Sequence, residues 1–202
     1  MTPGEEPTVT AAVEGDLDEA VVRRITMHAG LSLGAVHGRG GKQMLLRSIG
    51  GYNEAARQSA WFVLVDLDGD CKCAPPCMQK WLPDPAPQMC FRAVVRSVES
   101  WLLADRERIA GWLDVPLAKV PQIPDNLDNP KDELIRLARR SRRRTIREDL
   151  VPREGSGRAV GPLYTTRMIE YVEDGNKGWR PDSAANVSDS LARCMKRLTQ
   201  LA

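Results

Sequence analysis

No apolar run in these 202 residues approaches the roughly 20 that cross a bilayer, so a membrane-spanning protein is not expected. A leader is not expected either. The first residues, MTPGEEP, are acidic and polar where a secretory signal is basic and then apolar, which predicts a cytoplasmic protein. Histidine is scarce, and neither His28 nor His37 has the neighbours that an imidazole metal site needs. Cysteine is odd in number, five in a chain with no export signal, which argues against a disulfide framework and for reduced thiols. Net charge is small. With 29 Lys and Arg against 27 Asp and Glu, the total of +2 predicts no polyanion partner by itself. No internal repeat is visible. What is present, 42% apolar and 28% charged residues, is the composition of a soluble globular chain with one good core.

The most informative stretch is Trp61 to Asp70, WFVLVDLDGD. Its apolar, aromatic and β-branched run is that of a buried strand, and it leads directly into Asp66, Asp68 and Asp70. If the strand continues through Leu67, alternation sends Asp66 and Asp68 to the same side. Carboxylates that close repel unless a cation sits between them. A second strand, Thr8 to Val13, also ends in an acid, Glu14. Hard oxygen donors suit Mg²⁺ or Mn²⁺, so Glu14, Asp66, Asp68 and Asp70 are the candidate metal ligands. The plainer alternative is that the acids cap the next helix or form a turn at Asp68-Gly69.

Read in order, the chain alternates. A strand at Thr8 to Val13 precedes a helix from Leu17 to Ala29, a strand from Leu31 to His37, and a glycine loop, Gly38 to Lys42. That loop opens a short helix expected to stop at Gly50-Gly51, with a further helix over Asn53 to Ser59 before the central strand. The proline-rich stretch after Asp70 reads as a loop or short helix, Met89 to Val95 as a fourth strand, and Val98 to Leu113 as one or two helices. The alternation predicts an α/β fold with a mostly parallel, Rossmann-like sheet. Residues 1–115 form the expected α/β core, and residues 116–202 a helical extension packed on it. In that extension Asn129-Pro130 starts a helix, Leu163 to Val172 is another, and an amphipathic helix occupies Ser188 to Leu201.

Three further patterns bear on chemistry. The GRGGK loop is not a Walker A motif, because Val36 and Gln43 stand where that motif has Gly and Ser or Thr. Its amides can still meet a phosphate, with Lys42 as the candidate catalytic cation, or it is simply a tight turn. The second pattern is basic. Residues 131–158 hold ten basic and five acidic side chains. On one continuous helix Arg139, Arg143 and Arg147 align at i, i+4 with Arg140 and Arg144 beside them, a ridge suited to phosphate contacts on nucleic acid. Third, Cys71, Cys73, Cys77 and Cys90 are weighed as a structural Zn²⁺ site, but their spacing lacks the paired CxxC knuckles of common zinc sites.

A strand ending in Glu14-Gly15, a glycine loop after the second strand, and a third strand ending in Asp66-Leu67-Asp68 resemble the Toprim domain of topoisomerases, primases and overcoming-lysogenisation-defect (OLD) nucleases. The likeness is closer to small bacterial Toprim-like proteins encoded beside ABC/OLD-type ATPases in phage-defence loci, and it covers Thr8 to Asp105. The resemblance implies a Toprim-like sheet and Mg²⁺-dependent cleavage of DNA or RNA, in the setting of an antiviral toxin effector. By similarity Glu14 is the acid/base or metal-shell residue, and Asp66 and Asp68 are metal ligands. Asp70 matches less closely. In RSVESWLLAD, Glu99 is implied at a second metal or catalytic position and Arg96 at phosphate, where the residues alone read as a helix start. Two alternatives accompany this. One is a non-catalytic subunit that binds and regulates an ATPase. The other is a phosphatase of the haloacid-dehalogenase type, whose DxDGT motif DLDGD resembles with Asp70 in place of Thr; an EF-hand is excluded by Cys71 and Cys77.

Overall fold

The computed structural model describes residues 7–71 and 73–201; the acidic residues 1–6 read above lie outside them. Four strands, β1 (Thr8–Val13), β2 (Ser32–Gly38), β3 (Trp61–Asp66) and β4 (Met89–Val94), form one sheet in the order β2-β1-β3-β4. Every pairing is parallel. The α/β, parallel character expected from the alternation is therefore present. Helix α1 (Asp16–His28) connects β1 to β2, and α2 (Lys42–Ala55) carries the chain from β2 back across β1 to β3. Right-handed crossovers put helices with opposite directions of travel on opposite faces. The direction reverses between β1 and β3. That reversal opens a crevice beyond the carboxyl ends of these two strands.

Burial follows from this layering. β3 is buried along its apolar length, as expected for a strand covered on both faces. One face carries Ala12, Trp61, Val63, Val65, Met89, Phe91 and Ala93, which pack with Leu45 and Ile49 of α2. Helix α1 turns Leu17, Val21, Val22 and Ile25 inward and packs on β1 and β2. The edge strand β2 is mostly exposed, and a register shift between Val9 and Ala11 places a bulge in its pairing with β1. Bulges of this kind interrupt an edge that would otherwise recruit another strand.

Helix α2 corrects one expectation. It runs through Gly50-Gly51 without a break and absorbs the separate helix foreseen at Asn53 to Ser59. Each glycine costs roughly 1 kcal/mol relative to alanine. Both sit on the exposed side of α2, while Leu45 and Ile49 anchor its other side to the sheet, and that packing decides.

Backbone contacts divide the chain into two compact units. Among the described residues the first comprises 7–95 and 190–201, the second 96–189. The first division thus falls at Val95, where the sheet ends, rather than at residue 115. The last helix, α10 (Asp189–Leu198), belongs from Ser190 onward to the sheet unit, where Arg197 donates to the Pro87 carbonyl at 2.9 Å. Its buried Cys194 lies near Cys90 of β4.

The second unit is helical: α4 (Val98–Ala104), α5 (Arg106–Leu113), α6 (Pro130–Ala138), α7 (Arg144–Leu150), α8 (Tyr164–Glu173) and α9 (Pro181–Ala185). Its interior is built on Trp101, Tyr171 and Trp179, and the Trp179 indole donates to the Trp101 carbonyl at 3.0 Å. Asp105 breaks α4 from α5. Its buried carboxylate accepts from the Arg180 Nη2 at 2.7 Å, Nε at 2.9 Å and backbone amide at 2.9 Å. Asn129 caps α6 as its sequence predicts, accepting from the Asp132 amide at 3.1 Å.

Candidate functional site

The glycine loop shapes the acidic end of the sheet. Gly38 has φ of 90° and Gly41 φ of 83°, values that favour glycine. The Arg39 amide donates to the Val13 carbonyl at 2.9 Å and the Gly41 amide to the Glu14 carbonyl at 3.0 Å. These two amides are thus spent on the end of β1 rather than on a phosphate. The loop is a brace. It delivers Lys42, the first residue of α2, to the carboxyl edge of the sheet.

Glu14 leaves the end of β1, and its Oε1 accepts from the Asp66 amide at the end of β3, 2.7 Å away. This bond closes the two strands across the crevice. Burial raises the Glu14 pKa above the ordinary carboxylate value, helped by the charges of Asp68 and Asp70 and opposed by the Asp66 amide and Lys42.

Extended geometry does not persist past Asp66, so the alternation that would align Asp66 with Asp68 ends there. The Leu67 amide still reaches Val94 at 2.9 Å, but Asp68 is left-handed at φ 48° and the Asp70 amide turns back to the Leu67 carbonyl at 3.2 Å. The Asp68-Gly69 turn has formed. It brings Asp68 and Asp70 together on one cation: Lys42 Nζ lies 3.0 Å from Asp68 and 2.6 Å from Asp70. Asp70, the weaker match at the level of sequence, makes the shorter contact. The ammonium also stands 5.3 Å from the ring centre of Trp81, on α3 (Ala74–Trp81). Partial burial disfavours the Lys42 charge, but its bonds to Asp70 and Asp68 outweigh that and hold its pKa above the lysine value. Sequence reading missed Trp81, because nothing in the proline-rich stretch around it has a period.

Other expected site residues lie in the second unit. Glu99 is buried; its Oε1 accepts from the Tyr164 hydroxyl at 3.0 Å and lies 3.4 Å from Lys131 Nζ, while no hydrogen bond to its Oε2 is found. Burial, and then the Glu99 charge, push the Tyr164 pKa well up. Arg96, left-handed at φ 66°, has Nη2 at 3.6 Å from Asp128. Tyr164 is 65 residues from Glu99 in sequence, a separation no local pattern bridges.

The arginine ridge is a correction. α6 ends at Ala138 and α7 begins at Arg144, so Arg139, Arg140, Arg143, Arg144 and Arg147 do not share one helix face. The cause is local. Buried Ser141 accepts from the Arg143 amide at 3.0 Å, and the Arg140 and Ser141 amides close the end of α6 on Leu137 and Ala138. A bare i, i+4 run of like charges opposes the continuous helix as well. Arg139, Arg140 and Arg143 are exposed around the turn, Arg144 pairs with Glu148 at 2.6 Å, and half-buried Arg147 donates to the Ser141 carbonyl.

Cysteine chemistry also departs from expectation. Cys71 and Cys77 form a disulfide, whereas Cys73, Cys90 and Cys194 are free. Two of the four sulfurs weighed for Zn²⁺ are thereby taken, and Cys90 is buried within the sheet unit.

The acidic residues fit a hard divalent ion in one respect: their donors are carboxylate oxygens, and two of them converge on one positive charge, the Lys42 ammonium. Among the described residues no group of three or more His, Cys, Asp or Glu side chains is arranged to hold a metal ion as they stand. Among those residues no helix is long and apolar enough to cross a membrane. No protein family, curated protein or solved structure matches the chain.

Proposed function

We propose that the acidic site supports Mg²⁺- or Mn²⁺-dependent phosphodiester hydrolysis of nucleic acid, on a Toprim-like fold. The observation that carries this reading is position: Glu14 and Asp66 meet at 2.7 Å where the sheet reverses direction, and Asp68 and Asp70 converge on a cation beside them. The likeness of this strand-and-acid pattern to Toprim proteins supports it. Asp68 and Asp70 would hold the ion, with Glu14 and Asp66 behind them. When bound, such an ion supplies charge stabilisation at a phosphoryl oxygen and lowers the pKa of a bound water. Glu14, whose burial favours its neutral form, is suited to take up and return a proton, and Lys42 to neutralise a phosphate oxygen. The exposed Arg139, Arg140 and Arg143 would contact backbone phosphates without reading sequence.

The test is cleavage of supercoiled plasmid, single-stranded DNA and RNA with each ion, wild type against Asp68→Asn/Asp70→Asn. Products that need the ion and vanish in the folded variant support the reading. If wild type leaves all three substrates intact, or the variant cuts as well, an autonomous nuclease at this site is refuted.

One observation favours a second reading. A carboxylate pair already bridged by its own lysine is also what a retired metal site would hold, which fits a non-catalytic subunit of an ABC/OLD-type ATPase. Stable co-purification with such an ATPase, together with inertness on all three substrates, is its signature.

A further inference from the structure

We infer that the Lys42 ammonium is the resident cation of the acidic site and that a divalent ion enters by exchanging with it. This rests on the metal reading above and adds the order of events. Lys42 Nζ bridges Asp70 at 2.6 Å and Asp68 at 3.0 Å, and its side chain is only 17% exposed. Asp68 and Asp70 are about half exposed, at 56% and 49%, so an ion reaches them from solvent while the ammonium lies on their inner side.

Simple electrostatics removes the ammonium's gain from joint occupancy. At equal distance and dielectric, repulsion between a divalent ion and the ammonium is twice the ammonium's attraction to one carboxylate, and so matches its attraction to both. An ion seated on the pair cancels what holds the lysine there. The ammonium then leaves on its flexible four-carbon stem. The positive charge meant for a phosphate therefore becomes available only once the ion is in place, and metal precedes substrate. Trp81 records the exchange, because its ring centre lies 5.3 Å from Nζ and the cation over its face moves away.

The experiment is titration of the whole chain with Mg²⁺, followed by calorimetry and by tryptophan emission, for wild type, Lys42→Met and Trp81→Phe. Lys42→Met keeps the apolar stem and removes the competitor. It should bind Mg²⁺ at least about tenfold more tightly than wild type. Wild-type emission should change with the calorimetric midpoint. That change should be absent from Trp81→Phe, which binds with near wild-type affinity, and from Lys42→Met. Circular dichroism checks folding, and Lys42→Gln replaces Lys42→Met if the latter does not fold. Equal affinities in wild type and the lysine variant, or Mg²⁺ binding that leaves Trp81 emission unchanged, overturn the exchange while leaving the metal reading intact. If neither protein binds Mg²⁺, the metal reading itself falls, a result distinguishable from the first two.

Discussion

Two glycines of one loop separate backbone strain from steric conflict. Gly41 has φ of 83° and ψ of 168°, a region that costs a residue with a side chain about 1–3 kcal/mol, and a Cβ built there meets nothing within 4 Å. Gly41→Ala should therefore destabilise by about 2 kcal/mol, from conformation alone. Gly38 differs in its surroundings. It has φ of 90°, and a Cβ there would overlap the Val13 carbonyl oxygen, the same oxygen that accepts from the Arg39 amide at 2.9 Å. Val13 and Gly38 are register partners across β1 and β2, so neither backbone can retreat without opening the pairing. Overpacking of this kind adds about 1–3 kcal/mol, which brings Gly38→Ala to about 3–5 kcal/mol. A typical domain has only about 5–15 kcal/mol in total. Urea unfolding followed by circular dichroism measures both variants, with the midpoint difference multiplied by a common slope. Equal losses would refute the steric account and mean that β1 gives way freely at Val13.

In the second unit, Arg180→Ala leaves the buried Asp105 carboxylate with only the Arg180-position amide, and should cost about 3 kcal/mol, allowing for the partial exposure of the arginine. The double change Asp105→Leu/Arg180→Met should cost clearly less than the single one in the same urea assay; a double variant no more stable than Arg180→Ala refutes the pairing. Tyr164→Phe removes the hydrogen bond to buried Glu99 and should cost about 1–3 kcal/mol, which a urea midpoint equal to wild type would contradict. Thiol titration at pH 8 without reductant should label exposed Cys73 rapidly and Cys90, whose pKa burial pushes up to about 11, only on unfolding. The unfolded Cys90 thiol ionises near pH 9 and the folded one near 11, so its contribution to stability is held below pH 9 and lost across that interval. Rapid labelling of Cys71 and Cys77 before reduction would show that they are not bonded.

The strands were legible because β-branched runs bounded by glycine and acid are local signals, and β1 occupies the span that its composition marks. So was the placement of Glu14 and Asp66 at strand ends. Features that depend on distant partners were not. Gly50 and Gly51 read as a stop because their sequence cannot show that Leu45 and Ile49 are held by the sheet. The arginine run reads as one helix because its periodicity contains no trace of Ser141 closing α6. At the candidate site, the residue types were visible but their pairing was not. The convergence of Asp70 and Lys42 depends on a turn at Asp68 and a brace from Gly38 to Gly41, two segments far apart in sequence that meet only in the folded sheet.

The sheet unit is interrupted in sequence by the whole of the second unit, and this bears on when it matures. Its final piece, residues 190–202, leaves the ribosome after all the other residues of both units. Strands β1 to β4 and the carboxylates they carry are made early, but buried Leu191, Cys194 and Leu198 have yet to be added. Late, long-range closure of this kind slows folding and prolongs exposure of apolar surface. A nascent chain therefore carries an unfinished sheet unit until the helix of Leu191, Cys194 and Leu198 has been made.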